Sequence, residues 1–231
     1  EICALVLEPL VQCAGGMRMY HPAYLRRARE ICDVHGAHLI ADEIAVGFGR
    51  TGTLFACEQA QVTPDFLCLS KGLTGGFLPM SAVLTTTAVY EAFLDPDSRE
   101  RAFLHSHSYT GNPLGCAAAL ASLSIFDAEP VLERNAETGK RMAQLAEQFR
   151  GHGHVGDVRR TGMILAIELA ADKASRTPFA AAEKRGLRAY RCALAEGVVL
   201  RPLGEVLYWM PPYCIDEPAL HKALTSGKLA G

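Results

Sequence analysis

Lys71 and Asp42 carry the chemistry that this sequence can do, and each stands at the end of an apolar run. Lys71 follows Asp65-Phe66-Leu67-Cys68-Leu69-Ser70 and leads at once into Gly72-Leu73-Thr74-Gly75-Gly76. A strand that delivers a lysine into a glycine-rich turn sets it at a pocket mouth, with its ammonium partly desolvated and its amine ready for Schiff-base chemistry. A solvated lysine that merely ends a strand is the competing reading. Asp42 decides against it, because Ala37-His38-Leu39-Ile40-Ala41-Asp42 is a second apolar run that ends in charge. Neighbouring strands of this kind place a carboxylate and an amine at the same edge of a parallel sheet, where α/β folds bind their ligands. The pair fits pyridoxal 5'-phosphate. The lysine would hold the aldehyde while the aspartate keeps the pyridine nitrogen protonated, so that the ring accepts carbanion electrons.

Those two residues need a framework of alternating strands and helices. Ala4-Leu5-Val6-Leu7 reads as a buried strand. Pro22 suits the first position of a helix, Tyr24, Leu25, Ala28, Ile31 and Cys32 recur at helical spacing, and Gly36 stops it. Then come the strand ending at Asp42, the loop Gly47-Phe48-Gly49-Arg50-Thr51-Gly52, the strand ending at Lys71, and a strand from Met80 to Thr85. This order predicts a mainly parallel sheet covered by helices. Gly111-Asn112-Pro113 introduces an alanine-rich helix, Leu114 to Phe126, suited to close packing and burial.

From Pro130 the pattern becomes a polar amphipathic helix to about Arg150. Beyond His152-Gly153-His154, Gly162 to Glu168 reads as a strand, Ala180 to Leu194 as a helix, and Val198-Val199-Leu200 and Val206 to Trp209 as two short strands. The division expected is a large domain over 1–128 and a smaller α+β domain over 129–231 that includes the linking helix.

Composition bounds the function. The 231 residues are 49% hydrophobic and 21% charged, enough for a sizeable core, and the net charge of −2 argues against nucleic acid or an anionic membrane as partner. No apolar stretch approaches a membrane span, and a cytoplasmic location is the default expectation. Eight cysteines without a CxxC pair point to buried free thiols. His105 and His107 flank Ser106, but no third ligand clusters with them, so no metal site is expected. Because the first residue is Glu1, directly before a strand, an upstream segment is expected to be missing.

Glu8-Pro9, Asp42-Glu43-Ile44 with Gly47 to Gly52, Ser70-Lys71-Gly72 with Gly75-Gly76, and Gly111-Asn112-Pro113, in this order and spacing, resemble the class III (ω-type) pyridoxal-phosphate aminotransferases. The resemblance runs over nearly the whole chain. It implies the fold type I architecture of pyridoxal-phosphate-dependent transferases, here as the C-terminal part of the large domain plus the small domain, and a homodimer. Gly15 to Tyr20 and Arg201-Pro202-Leu203-Gly204 with Tyr208 to Tyr213 narrow it to a subgroup with a carboxylate-bearing keto substrate.

Carried over residue by residue, the resemblance implies that Lys71 is both the covalent anchor of the cofactor and the proton shuttle, and that Asp42 pairs with the pyridine nitrogen. Ile44 would pack on one face of the ring, and Ser108 would hydrogen-bond the cofactor phosphate of the other subunit. Arg201 would hold the substrate carboxylate in its planar fork, with Tyr208 and Arg50 nearby. Each has a plainer reading: Arg50 as a solvated arginine in a glycine loop, Ile44 as core. Glu43 would hold the loop or touch the cofactor.

Many class members that use glutamate carry a second glutamate shortly after the Glu-Pro pair, whereas this chain reads Val11-Gln12-Cys13-Ala14. A glutamate/2-oxoglutarate exchange is therefore not expected. Other class III chemistries, an ω-amino acid:pyruvate aminotransferase or an aminomutase, remain as alternatives, as does an inactive fragment.

Overall fold

The computed structural model describes residues 2–94, 100–105 and 107–225. In chain order the elements are β1 (Ala4–Leu7), β2 (Val11–Gln12), β3 (Arg18–Met19), α1 (Pro22–His35), β4 (His38–Asp42), β5 (Phe66–Leu69), β6 (Ala82–Thr85), α2 (Thr87–Glu91), α3 (Pro113–Ala128), α4 (Val131–Arg150), β7 (Val155–Thr161), β8 (Ile164–Leu169), α5 (Arg185–Ala195), β9 (Arg201–Leu203), β10 (Val206–Trp209) and α6 (Glu217–Thr225). Short 3-10 turns lie at Ala56–Ala60, Lys71–Thr74 and Ala181–Glu183. Among the described residues no single helix is long and apolar enough to cross a membrane.

The chain divides into two units. One comprises 1–10, 21–48 and 53–130; the other comprises 11–20, 49–52 and 131–231. Two short excursions thus leave the first stretch of chain for the second unit. The reason is visible in their bonds. The Arg159 guanidinium on β7 donates to Gly16 O at 2.7 Å and Met17 O at 2.8 Å, and Met163 N donates to Arg50 O at 2.9 Å.

The first unit is built on a four-stranded sheet in the order β1-β4-β5-β6, with β1, β4 and β5 parallel and β6 antiparallel to β5. Helix α1 begins at Pro22, buries Leu25, Ala28 and Cys32, and ends where Gly36 takes φ 62°, a left-handed conformation that glycine adopts without steric cost. Asp65, just before β5, fixes its register against β4: Oδ2 accepts from Leu39 N at 2.6 Å and from Arg29 Nη1 at 2.7 Å.

Two expectations of burial fail here. Val6 of β1 is 61% exposed, and on α3 only Gly115 and Ala119 are buried while Leu114 and Leu120 are largely exposed. Their apolar character suits packing that the described residues do not supply. The thiols are likewise mixed, since Cys13, Cys32 and Cys57 are buried but Cys3, Cys192 and Cys214 are exposed.

The second unit has an antiparallel sheet in the order β7-β8-β10-β9. Its core forms where Met142, Ala146 and Phe149 of α4 meet Leu165 and Ile167 of β8, Leu207 and Trp209 of β10, and Leu220 and Leu224 of α6. Trp209 is buried with its indole N–H satisfied by Ala223 O at 2.9 Å. Two local assignments shift. The strand expected over 198–200 begins instead at Arg201, because β9 pairs with β10 through a tight turn in which Gly204 has φ 58°. The helix expected from Ala180 starts at Arg185, after Lys184 breaks it with φ 47°.

Candidate active site

The parallel register of the first unit brings the predicted pair to one sheet edge. Asp42, the last residue of β4, stands opposite Cys68 of β5, and Glu43 N donates to Cys68 O at 3.0 Å. Lys71 then opens the 3-10 turn that follows β5, so carboxylate and amine leave the sheet at the carboxyl ends of adjacent strands. Asp42 is half-buried; its Oδ1 accepts from Ile44 N at 3.0 Å, which fixes the carboxylate and leaves Oδ2 for a ligand. Ile44, half-buried, begins the loop beyond this edge.

Lys71 is exposed in the single chain, where a partly desolvated ammonium was expected. Its turn stands at the carboxyl end of β5. The backbone at Lys71 is unusual, with φ 44° in the left-handed region that L-residues seldom occupy. Gly72 packs against Phe48 so closely that a Cβ there would lie 2.8 Å from the ring. Ser70 Oγ donates to Met80 O at 2.7 Å, and Ser122 Oγ of α3 donates to Gly72 O at 3.0 Å.

Glu43 resolves toward the loop-holding role. It is fully buried, and its Oε2 and Oε1 accept from Ala56 N at 2.7 Å and Cys57 N at 2.8 Å, tying the loop after β4 to the 3-10 turn at 56–60. Burial pushes its carboxyl above the ordinary value, against the pull of these N–H groups. The Cys57 thiol is pushed up as well, by burial first and then by Glu43. Gly47 is required beneath it, since a Cβ there would meet Glu43 O at 2.9 Å. The sequence offered loop-holding as one of two readings of Glu43; its partners Ala56 and Cys57 lie too far along the chain to be read.

Ser108 lies exposed in the turn that leads to α3. That helix is capped by Asn112, whose Oδ1 accepts from Leu114 N at 3.0 Å, with Pro113 in its first turn.

In the second unit Arg201 and Tyr208 are register partners across the β9–β10 hairpin. Directly opposed residues project on the same face, so a cation and a phenol stand side by side. The hairpin is braced by α5: Gly186 N donates to Glu205 Oε2 at 3.0 Å, and Gly186 lies against Gly204 O too closely for any side chain. Arg50 is not a solvated arginine. Its Nη1 donates to Pro211 O at 2.7 Å, and its guanidinium lies 4.4 Å from the centre of the Tyr213 ring. Burial pulls its pKa below the ordinary value, with Tyr213 and Cys13 opposing. Among the described residues no cluster of three or more metal-ligating side chains occurs.

The family model described as Aminotransferase class-III matches residues 1–229. The adenosylmethionine-8-amino-7-oxononanoate aminotransferase of Nitratidesulfovibrio vulgaris is 50% identical over 220 residues, 95% of this chain and 41% of the relative. The enzyme of that name from Aquifex aeolicus is 43% identical over 231 residues, 100% of this chain and 51% of the relative. Among solved structures, the one of that name from Methanocaldococcus jannaschii superposes with a TM-score of 0.92 at 37% identity, covering 96% of this chain and 52% of that one. An amine transaminase from an uncultivated Pseudomonas species, in its PLP-bound form, gives 0.90 at 35% identity, covering 98% and 51%. The chain spans about half the length of the curated relatives it matches.

Proposed function

This chain belongs to the class III aminotransferases, and from that premise we propose that it is the lysine-bearing part of an enzyme that transfers an amino group to 8-amino-7-oxononanoate in biotin synthesis, with S-adenosylmethionine as donor. The observation that carries the proposal is the placement of Asp42 and Lys71 at the carboxyl ends of adjacent parallel strands. A half-buried carboxylate with one oxygen uncommitted and an exposed primary amine form the donor set that pyridoxal 5'-phosphate requires. When bound, that cofactor supplies the electron sink for a carbanion at the substrate carbon.

The residues of this chain supply the rest. Lys71 Nζ would hold the cofactor and would carry the proton at the substrate carbon. Asp42 would hold the cofactor's pyridine nitrogen in its protonated form through its second carboxylate oxygen. Ile44 packs on a ring face and keeps water from it. Ser108 donates its hydroxyl to the phosphate of the partner subunit in a homodimer. Arg201 takes the carboxylate of the keto substrate in two parallel hydrogen bonds, with Tyr208 beside it. Arg50, whose guanidinium is held by Pro211 O and Tyr213, would be a further contact for the substrate. A cytoplasmic enzyme and a catalytic large domain over 1–128 with a small domain over 129–231 complete the reading.

Identity supports this substrate over other class III reactions, because relatives at 43–50% carry the 8-amino-7-oxononanoate name. The amine transaminases among the solved structures stand at 30–35%. The test is a donor screen on the complete protein with 8-amino-7-oxononanoate as acceptor, comparing S-adenosylmethionine, lysine, alanine and glutamate. Turnover with S-adenosylmethionine supports the reading. Turnover only with alanine or glutamate, and with pyruvate as a better acceptor, overturns it.

A further inference from the structure

We infer that Ser122 is a positioning residue for Lys71: it aims the amine by anchoring the carbonyl of Gly72, the residue that follows the lysine. The inference rests on the proposed role of Lys71 and goes beyond it.

The turn that carries Lys71 is held mostly by itself. Leu73 N donates to Ser70 O at 3.0 Å, Gly75 N to Gly72 O at 3.1 Å, Thr74 Oγ1 to Leu78 O at 2.6 Å, and Ser70 Oγ to Met80 O at 2.7 Å. All of these partners lie between residues 70 and 80, so they set the turn's shape but not its attitude toward the sheet edge. Lys71 at φ 44° is a strained position, and such a backbone persists only where its surroundings over-determine it.

Two side chains from outside the turn meet Gly72. Phe48 lies against Gly72 and excludes a side chain there. The Ser122 hydroxyl, projecting from the third turn of α3, donates to Gly72 O at 3.0 Å. Leu73 and Ala119, one helical turn before Ser122, are buried in the same small core as Phe48. Gly72, the residue that follows Lys71, is therefore held between a ring that blocks its Cα side and a hydroxyl that binds its carbonyl in the Gly72–Leu73 peptide. Anchoring Gly72 fixes the chain one residue past Lys71 and so restrains the direction in which the lysine leaves the backbone.

Gly72 O also accepts from Gly75 N, so loss of the hydroxyl leaves no orphaned carbonyl. The turn should stay folded and lose only its outside anchor. This separates positioning from general stabilisation: the effect should appear at the lysine and hardly at all in thermal stability.

The test compares the complete protein with its Ser122→Ala and Ser122→Thr variants, each loaded with pyridoxal 5'-phosphate. The readouts are the pH midpoint of the lysine-bound cofactor absorbance, the dissociation constant of the cofactor, the split of kcat against KM, and Tm. Ser122→Ala should shift the midpoint, weaken cofactor binding and lower kcat by roughly 3- to 10-fold, the loss of one neutral hydrogen bond, with KM little changed. Ser122→Thr, which keeps the hydroxyl, should restore all three. An unchanged midpoint and cofactor affinity in Ser122→Ala, or a Ser122→Thr variant that behaves like alanine, would overturn the inference. If the parent protein itself forms no lysine-bound cofactor band, the proposed function fails, and the role of Ser122 falls with it.

Discussion

Asp42 and Cys68 stand opposite each other in the parallel pair β4–β5, and this register sets a carboxylate and, one short step beyond Cys68, a lysine at the same sheet edge. The register is not left to the strands alone. Asp65 pins β4 to the start of β5 by accepting from Leu39 N while it binds Arg29. Because a slip of one residue turns every side chain to the other face, this anchor protects the geometry of the site.

Replacing Asp42 by asparagine should leave cofactor binding intact and lower turnover by on the order of 10² or more, since an amide no longer favours the protonated pyridine that stabilises a carbanion. Stopped-flow rates with cofactor occupancy measured in parallel check this. Near-normal rates would assign the role to another acid.

Arg201→Ala should weaken use of the keto substrate by roughly 10- to 150-fold, because a bidentate carboxylate contact contributes about 1.5–3 kcal/mol. Arg201→Lys should rescue poorly, as a point charge cannot reproduce two parallel bonds. The cofactor spectrum should not move. Loss of cofactor with unchanged substrate binding would make Arg201 structural.

Gly72→Ala should disturb the Lys71 turn, because its Cβ would press on Phe48 at 2.8 Å. A lower Tm and weakened cofactor binding are expected, and trimming the ring in Gly72→Ala/Phe48→Leu should recover part of both. No recovery in the double variant would show that the clash is relieved elsewhere.

Asp65 predicts an acid limit to stability. Burial alone would raise its carboxyl, but the hydrogen bond and charge of Arg29, with Leu39 N, outweigh it and hold the pKa below 3.8. A depressed carboxylate contributes stability that is present above the unfolded value and lost as pH falls through the folded one. Thermal unfolding of the parent and Asp65→Asn should therefore show a Tm gap at pH 7 that narrows once the pH drops below 3.8. A gap that stays constant down to pH 3 would contradict the account.

Much of the framework was legible because its signals are local. Pro22 and Gly36 bracket α1, and the apolar runs ending in Asp42 and Lys71 are β4 and β5. What stayed hidden depends on partners far along the chain. Strand β7 carries Asp157, Arg159 and Arg160 and shows no apolar alternation, yet it forms the long edge pairing with β8. The pairs β2 and β3 are two residues each, too short for any pattern. Helix α6 had a usable cue in Asp216, whose Oδ1 accepts from Ala219 N at 2.8 Å. At the site, strand ends revealed Asp42 and Lys71, while the loop-holding bonds of Glu43 and the commitment of Arg50 to Pro211 and Tyr213 could be seen only once the chain was folded.

The central claim is that Lys71 is the covalent anchor of the cofactor. Its most direct measurement is borohydride reduction of the complete protein loaded with pyridoxal 5'-phosphate, followed by peptide mapping, in the parent and in Lys71→Ala. The account predicts a reduced cofactor adduct on the peptide containing Lys71 in the parent, and neither adduct nor turnover in the variant. A trappable adduct that persists in Lys71→Ala, or one that maps to another lysine in the parent, would contradict it.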